Sequence, residues 1–529
     1  MRTPTQNIKP RTSTVDSFPA PTGGLVSNRN LAMSRGPQDP PAAAILDDWF
    51  PLSASVITRR GYRLWSPLPG ATPVKSMFTY LSGSTKQMFA ANTTSVFNTT
   101  VESAPVSVVG GKTSGNWHVV QFSTAGGAFL IGVNGSDPAI QYDGTAWTVP
   151  TITFPAPYAS MTTADLAYVW AYKQRIWFIQ KNSLNAWYLP VDSIGGVLTL
   201  WPMGGVFVFG GSLMWGHAWS LDTGGSGGLS EQCVFTTTEG EVAAYQGLSP
   251  DVDQGWTKAG LYRIGKPLGR RAFMRAGGDL VIGTSVGFVA LSKAANSDFA
   301  ALGAGAVSYP IEDDWADAVD NRGKDDWRVQ LWADGQMVLV APPIIDGENP
   351  IALVSNSNTG KWCRFRGWNI TAMTVFDGKL FFGSTDGSVR WGWVGGSDEG
   401  VTYNPRVLPL FSDFGTPASR KTLKEAKATT RSPYGSKVQV TGHTNFNAKF
   451  PPAPPIDTNV GDDLWNVGLW DVAMWGSSNY SVTDGDWRSI AGAGHDLSVG
   501  VQLSSGQPAP IDVELIRIDV KYVGSEPGT

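Results

Sequence analysis

One local pattern recurs along most of the chain and constrains its fold more than any other feature. A short apolar run, a polar or glycine turn and an alternating run follow one another, which is the signature of a β-hairpin. The clearest copies are Leu280–Leu291 and Leu380–Trp391. Looser copies begin at Met88, Phe129, Ile176, Cys233 and Met337. The seven starts lie 41 to 57 residues apart, with a mean close to 49.

A strand-built period of about 40–50 residues is typical of a β-propeller, whose four-stranded sheets pack against one another around an axis. Burial on both faces explains why these strands are nearly continuous apolar runs. The 62 Gly and 35 Pro residues, with only 16% charged residues, also favour short strands joined by turns. A pair of β-sandwiches is the alternative with similar turn spacing. We therefore predict an all-β protein with a β-propeller of five to seven blades.

Composition changes predict three regions. Residues 1–44 are rich in Pro, Ser, Thr and Asn, and we expect an extended arm that orders on a partner. Residues 45–404 form the predicted propeller. Strict alternation in His495–Leu503 and Ile511–Tyr522 indicates strands with one buried face, so residues 405–529 are predicted to form a second antiparallel β domain.

Residues for catalysis or metal binding do not form a recognisable pattern. The four histidines are scattered without i,i+3 or i,i+4 pairing, and no nucleophile elbow, P-loop or dinucleotide-binding turn occurs between a strand and a helix. The acidic run 312–317 lacks the spacing of a calcium loop and is interpreted as a solvated loop. Cys233 and Cys363 are expected to be buried free thiols. We predict no enzymatic activity, no cofactor and no metal.

The charge of the chain argues against a general affinity for nucleic acid. The net charge is −4, so no global basic field attracts DNA. One local basic run could face DNA phosphates, and its candidate residues are Arg420, Lys421, Lys424, Lys427 and Arg431. The alternative is a solvated face in which Glu425 pairs with its neighbours.

Several segments resemble, in order, the tail proteins of short-tailed bacteriophages that are called tail tubular, nozzle or packaged-DNA stabilisation proteins. Near the start these segments are Pro21–Ser27, Ala43–Pro51 and Arg59–Gly61. In the middle they are Gly210–Leu213, Glu231–Gly247, Ile264–Arg271 and Gly277–Leu280. The resemblance covers roughly residues 20–290, and the rest of the chain resembles these proteins only in its general character. Glycines replace the expected acidic residues at Thr223–Leu229, which argues against an ion or contact function for that loop.

The resemblance implies a structural protein of the virion tail that is assembled in the host cytoplasm. It implies a homohexamer beneath the portal and the adaptor ring, with one propeller per subunit and a central channel that retains packaged double-stranded DNA and conducts it during ejection, without sequence specificity. Further expected partners are other tail proteins such as a fibre or needle, and the host outer surface. The candidate adaptor contacts are Asp47, Trp49, Phe50, Arg59 and Arg60.

An alternative of another class is a propeller tail protein that binds or degrades a host surface glycan, with exposed Trp side chains as stacking platforms.

The net charge of the chain fits the conduit function. Six copies at −4 each would carry −24, so DNA would be guided by confinement and not by attraction.

Overall fold

The computed structural model describes residues 13–28, 40–221, 230–251, 255–433, 438–456 and 481–524. It divides into two compact units. The propeller unit comprises Arg63–Leu353 and Gly367–Gly392, and the terminal unit comprises Met1–Tyr62, Val354–Arg366 and Trp393–Thr529. Among the described residues, no helix has the length and apolar character needed to cross a membrane.

Short strands occupy most of the chain. The first four belong to the terminal unit and are β1 (Thr14–Pro19), β2 (Ala43–Asp47), β3 (Trp49–Pro51) and β4 (Val56–Thr58). Strand β5 (Tyr62–Pro67) leads into the propeller unit. The first sheet that follows consists of β6 (Ser76–Ser82), β7 (Thr85–Ala91), β8 (Val96–Asn98) and β9 (Ser107–Val109).

Three further four-stranded sheets follow in chain order. The next consists of β10 (His118–Thr124), β11 (Gly127–Val133), β12 (Ile140–Tyr142) and β13 (Trp147–Thr148). Strand β14 (Ile152–Thr153) follows and belongs to a separate two-stranded parallel sheet. The third four-stranded sheet begins with β15 (Leu166–Tyr172), β16 (Arg175–Gln180) and β17 (Asn185–Tyr188). The partner of β14 is β18 (Gly196–Val197), and β19 (Thr199–Pro202) completes the third sheet. The fourth consists of β20 (Leu213–Leu221), β21 (Ser230–Thr237), β22 (Glu241–Gly247) and β23 (Trp256–Arg263).

The remaining part of the propeller unit departs from the four-stranded pattern. A three-stranded sheet of β24 (Phe273–Ala276), β25 (Asp279–Thr284) and β26 (Gly287–Ala290) is followed by helices α1 (Leu291–Ala295) and α2 (Glu312–Arg322). A hairpin of β27 (Arg328–Trp332) and β28 (Met337–Ala341) comes next. The chain then continues through β29 (Ile351–Asn356) to β30 (Trp362–Arg366), and residues Val354–Arg366 of this stretch belong to the terminal unit. The last sheet contains β31 (Ala372–Phe376), β32 (Lys379–Gly383) and β33 (Ser388–Gly392), with β5 as its outer strand.

These sheets form a closed ring, which confirms the predicted β-propeller. Each packs against the next in chain order, and β31 packs against β6. Strand β5 pairs with β33, so the first strand of the unit completes its last sheet. Six sheets of the unit form blades, and the hairpin β27–β28 occupies the ring position between β24–β26 and β31–β33. All seven predicted hairpin starts fall in the second strand of their sheet or hairpin.

Aromatic side chains fill the space between neighbouring sheets of the propeller unit. Trp177 is fully buried and lies 5.9 Å from Trp170 and 5.6 Å from both Trp256 and Phe235, measured between ring centroids. Inner strands therefore bury both faces, which is why strands such as β16 and β22 are buried at nearly every position.

The terminal unit is also all-β, as predicted for the second domain, but it is assembled from both ends of the chain. Its remaining strands are β34 (Arg406–Pro409), β35 (Lys421–Ser432), β36 (Gln439–Thr444), β37 (Ser481–Asp484), β38 (Arg488–Ser489), β39 (Ala493–Gly494), β40 (Leu497–Gln502) and β41 (Glu514–Gly524). One sheet has the order β3-β4-β41-β35-β37, with β1 also paired to β41 and with β38 and β39 paired to β35. In another, β30, β2, β34, β40 and β36 are successive neighbours.

The structure corrects three predictions made along the chain. Residues 45–62, 354–366 and 393–404 belong to the terminal unit and not to the propeller. Part of the predicted arm is a strand: β1 pairs with β41 and buries Phe18, while residues 1–12 and 29–39 lie outside the described part. The acidic run is helix α2 and not a loop, because Trp315, Ala318 and Val319 form one buried stripe at helical spacing.

Candidate functional site

The candidate adaptor contacts lie in and beside strands β2, β3 and β4 of the terminal unit, where Asp47 and Arg59 take part in a buried ion-pair network. Arg59 Nε donates to Asp48 Oδ1 at 2.6 Å, and its two Nη atoms donate to the Asp398 carboxylate at 2.8 and 2.7 Å. The guanidinium also lies 3.8 Å from the centre of the Tyr403 ring. Burial lowers the pKa of Arg59, but the carboxylates of Asp48 and Asp398 outweigh it, so the pKa is raised above its ordinary value.

Asp47 organises a second part of the network. Its carboxylate lies 2.8 Å from Arg364 Nε, 2.6 Å from Arg406 Nη2 and 3.4 Å from Arg366 Nη1. Burial raises the pKa of Asp47, but the three guanidinium groups outweigh burial and hold it below 3.8. Three arginines, two from β30 and one from β34, thus converge on one buried carboxylate.

The burial of these residues limits what they can contact. Asp47, Trp49, Phe50 and Arg59 are each at most 2% exposed. Arg60 differs: its side chain is 39% exposed and pairs with Asp512 at 2.7 Å. In this structure the first four stabilise the terminal unit from within and offer no surface to another chain. The adaptor contact stays a prediction, and among these five residues only Arg60 exposes a large part of its side chain.

The candidate DNA-facing residues lie on and next to β35, but not on one face of it. The register of β35 against β41 shifts between Leu423 and Glu425, and this bulge reverses which side chains point inward. Before the bulge Lys421 is buried, and after it Ala426 and Ala428 are buried. The sequence pattern contains no signal for the bulge, so the run looked like a single basic surface.

The five cations accordingly have different surroundings. Lys421 is fully buried, and its Nζ donates to the carbonyl oxygens of Thr416, Ser419 and His495 at 2.8–3.1 Å. Burial lowers the pKa of Lys421. Lys427 lies 3.7 Å from Asp519, and Arg431 lies 4.0 Å from Glu514. Arg420 and Lys424 are exposed. DNA contact stays a prediction for the exposed residues, whereas Lys421 is a structural residue.

A pair of variants separates these roles. We expect Lys421→Met to lower the free energy of unfolding by about 1–3 kcal/mol, because three backbone carbonyls lose the buried ammonium group that donates to them, with no change in DNA affinity. We expect Lys424→Ala to change stability by less than about 0.5 kcal/mol. If Lys424 faces DNA, this variant lowers the slope of log affinity against log salt by about 1. Urea denaturation and filter binding over a salt series measure both, and an unchanged slope would remove Lys424 from the candidate residues.

A site that the sequence analysis missed lies on the axis of the propeller unit. Two cavities of about 250 and 290 Å³ share His118, Arg270, Arg271 and Arg328 in their walls. Most residues that line the 250 Å³ cavity belong to the first strand of a sheet or hairpin in the ring. These strands are β6, β10, β15, β24, β27 and β31. Backbone contacts hold two of the arginines together, because Arg271 and Arg328 form a parallel bridge.

The axial arginines are held mainly by backbone carbonyls. Arg271 donates to the carbonyl oxygens of Lys75 at 3.0 Å and Trp117 at 2.6 Å, and Arg270 Nε donates to that of Met214 at 3.1 Å. Arg328 pairs with Asp326 at 2.6 Å. Burial, together with the charge of Arg328, lowers the pKa of Arg271 to about 9. Burial, followed by the charges of the three nearby guanidinium groups, also lowers the pKa of His118. The axis is therefore a region of concentrated positive charge.

The remaining predictions concern the two cysteines, metal binding and the glycine-rich segment. Cys233 and Cys363 are buried free thiols, as predicted. Within the described residues, no group of three His, Cys, Asp or Glu side chains is arranged to hold a metal ion. The glycine-rich segment Thr223–Leu229 lies outside the described residues.

Comparison with known proteins finds only distant structural similarity. No protein family and no curated protein matches the chain. The similar solved structures include BBS1N in complex with ARL6DN, at 10% identity, covering 64% of this chain and 97% of that chain, with a TM-score of 0.34. They also include Sqt1 of Saccharomyces cerevisiae, at 11% identity, covering 63% and 99%, with a TM-score of 0.34. A third is YCF48 bound to D1 peptide, at 10% identity, where the match covers 63% of this chain and 97% of that chain, with a TM-score of 0.35. At these identities and scores none of them bears on function.

Proposed function

We propose that this protein is the tail nozzle of a short-tailed bacteriophage, a structural ring component that retains packaged DNA and conducts it during ejection. The observation that carries the proposal is the ordered sequence resemblance over residues 20–290, which also implied the propeller. The low charge suits a permanent assembly, because obligate interfaces are as apolar as a domain core.

The geometry of the propeller unit restricts where DNA could pass. A sphere of 250 Å³, the volume of the axial cavity, is only about 8 Å across. The major groove of B-DNA alone is about 12 Å wide. Side chains such as Met77, Arg271 and Met373 line this cavity. The proposed conduit is therefore the opening between copies of the chain in a ring, and not the axis of any one propeller.

Exposed apolar side chains on one end of the propeller support an assembly surface. Because neighbouring strands in each sheet are antiparallel, the connections from first to second and from third to fourth strands emerge at the same end. Several apolar residues in or beside these connections are 49–79% exposed: Leu81, Val101, Val106, Val191, Val197 and Leu248. Three comparably exposed apolar residues of this unit, Val149, Val208 and Phe209, lie at the opposite end, so the first end carries the larger share. Exposed apolar surface of this kind is typical of a surface that packs against another protein.

Electron microscopy of the full-length protein, alone and mixed with the adaptor ring of the same phage, tests the proposal. We expect sixfold rings with an open centre. The double variant Val106→Lys and Leu248→Lys should fold but fail to form rings, because charged groups would be buried at the interface. The matched control is Val208→Lys. Val208 is 77% exposed and lies in the connection between β19 and β20, at the opposite end of the propeller unit. Its rings should be unaffected.

Two results would overturn the proposal. One is a wild-type protein that stays monomeric and also fails to bind the adaptor. The other is a monomer that binds a host glycan on an array or releases reducing sugar from it, which would favour the glycan-recognition alternative.

A further inference from the structure

The axial cavity of the propeller unit contains more positive charge than its own carboxylates neutralise. The walls of the 250 Å³ cavity include Arg270, Arg271 and Arg328 but no Asp or Glu. The 290 Å³ cavity adds Asp325 and Asp326. Asp326 pairs with Arg328 and is itself 58% exposed. In the part of the chain that the structure describes, neither Arg270 nor Arg271 has a carboxylate within ion-pair distance.

Such an arrangement is unfavourable without a counterion. Guanidinium groups stay protonated in proteins, and burying like charges together raises the free energy of the folded state. Carbonyl oxygens satisfy part of the hydrogen-bonding capacity of Arg271 but supply no net negative charge. The lowered pKa of Arg271 has the same cause. A bound anion would remove the repulsion and use the remaining N–H donors.

The chemistry of the walls selects a class of anion. Guanidinium groups match carboxylate and phosphate oxygens with paired N–H donors. Ser76, His118 and Gln330 add polar groups to the same wall. A water molecule takes up about 30 Å³, so 250 Å³ holds a phosphate or a compact polycarboxylate but not a nucleic-acid duplex.

We propose that the axial cavity binds a small oxyanion with two or more negative charges, held by Arg270 and Arg271 with Arg328 beside them. The site belongs to a single chain, so it does not depend on ring formation or on the proposed nozzle function. It stabilises the closed propeller by neutralising the arginines where the sheets meet at the axis.

Isothermal titration calorimetry of the full-length protein tests this proposal with sodium phosphate and sodium citrate as separate titrants, in HEPES with constant chloride. We expect one site per chain for at least one of the two. Acetate, which has a single charge, should bind at least tenfold more weakly. Arg270→Gln and Arg271→Gln should each weaken binding by about 10- to 100-fold, the usual effect of losing one charged hydrogen-bonding group.

Control variants separate loss of the site from loss of the fold. Arg275→Gln changes an exposed arginine in strand β24, which follows Arg270 and Arg271 in the chain. Arg275 lies outside both cavities, and its variant should bind as the wild type does. Arg271 holds two backbone carbonyls, so its variant could unfold. In that case Arg270→Gln, which loses one backbone hydrogen bond, decides the result.

A second measurement locates the anion. The chain has four histidines, and only His118 lines the axial cavities. In NMR spectra of histidine-labelled protein, phosphate or citrate should shift the ring signals that disappear in His118→Gln. The signals of His443 and His495 should stay unchanged.

A duplex oligonucleotide, whose phosphates cannot enter the cavity, distinguishes a free anion from the DNA backbone and should not compete. The proposal is overturned by the absence of saturable binding at tens of millimolar of both anions. It is also overturned by unchanged affinity in both arginine variants, or by competition from the duplex.

Discussion

Replacing Arg59 with Met should lower the free energy of unfolding of the terminal unit by about 3–5 kcal/mol, the usual result of removing one partner of a buried ion pair. Arg59 is 1% exposed and neutralises two carboxylates, Asp48 and Asp398, which are 2% and 5% exposed. Its loss leaves both charges buried without their shared cation. The Tyr403 ring also loses the guanidinium that lies 3.8 Å from its centre.

Hydrogen–deuterium exchange by mass spectrometry is the appropriate measurement, because it reports each unit separately. We expect much faster exchange in β2, β30 and β34 of the variant and little change in the propeller unit. The matched control is the next residue: Arg60→Met removes a partly exposed ion pair and should lower stability by no more than about 1 kcal/mol. Adding Asp398→Asn to Arg59→Met should recover part of the loss. Equal effects of Arg59→Met and Arg60→Met would contradict the role of the buried network.

Trp177→Ala should lower the stability of the propeller unit by about 3–5 kcal/mol, through lost apolar burial and the cavity left behind. Trp177 in β16 is fully buried and stacks on Trp170 of its own sheet and Trp256 of the next. The substitution removes contacts between two blades as well as within one. Since each sheet is stable only against its neighbours, the loss should be shared by the whole ring.

Urea denaturation followed by circular dichroism measures this effect, and a conservative variant identifies its cause. Among the described residues, the indole N–H of Trp177 has no hydrogen-bond partner. Trp177→Phe therefore keeps an aromatic ring and removes an unsatisfied donor, and should lower stability by less than about 1.5 kcal/mol. Tyr309→Ala, at a residue that is 41% exposed, is the control and should change it by about 0.5 kcal/mol or less. A loss in Trp177→Ala as small as in the control would show that stacking between blades contributes little.

Much of the propeller could be predicted from sequence because its units are local. A hairpin is encoded by alternation and turn residues within about a dozen positions, so the starts at Leu280 and Leu380 matched β25 and β32. The boundaries could not be predicted in the same way. Strands β2, β3 and β4 look like the beginning of the propeller along the chain, but they pair with β34 and β41 instead.

The candidate sites show the same limit. The sequence analysis named Asp47 and Arg59 as candidate adaptor contacts, whereas both are buried beside partners that lie far along the chain, Arg406 and Asp398. Lys421 faces inward because a bulge changes the alternation of β35. The adjacent pair Arg270–Arg271 was visible in the sequence, but nothing near it indicated Arg328 as a neighbour.

By itself, the sequence determined that this protein consists of repeated β-hairpins with two buried faces, since turn chemistry and apolar spacing act over a few residues. The tertiary structure alone decided that β1 pairs with β41 across the length of the chain and that three arginines meet on one axis. Such pairings depend on the packing free energy between distant segments, which leaves no trace in the pattern of either segment.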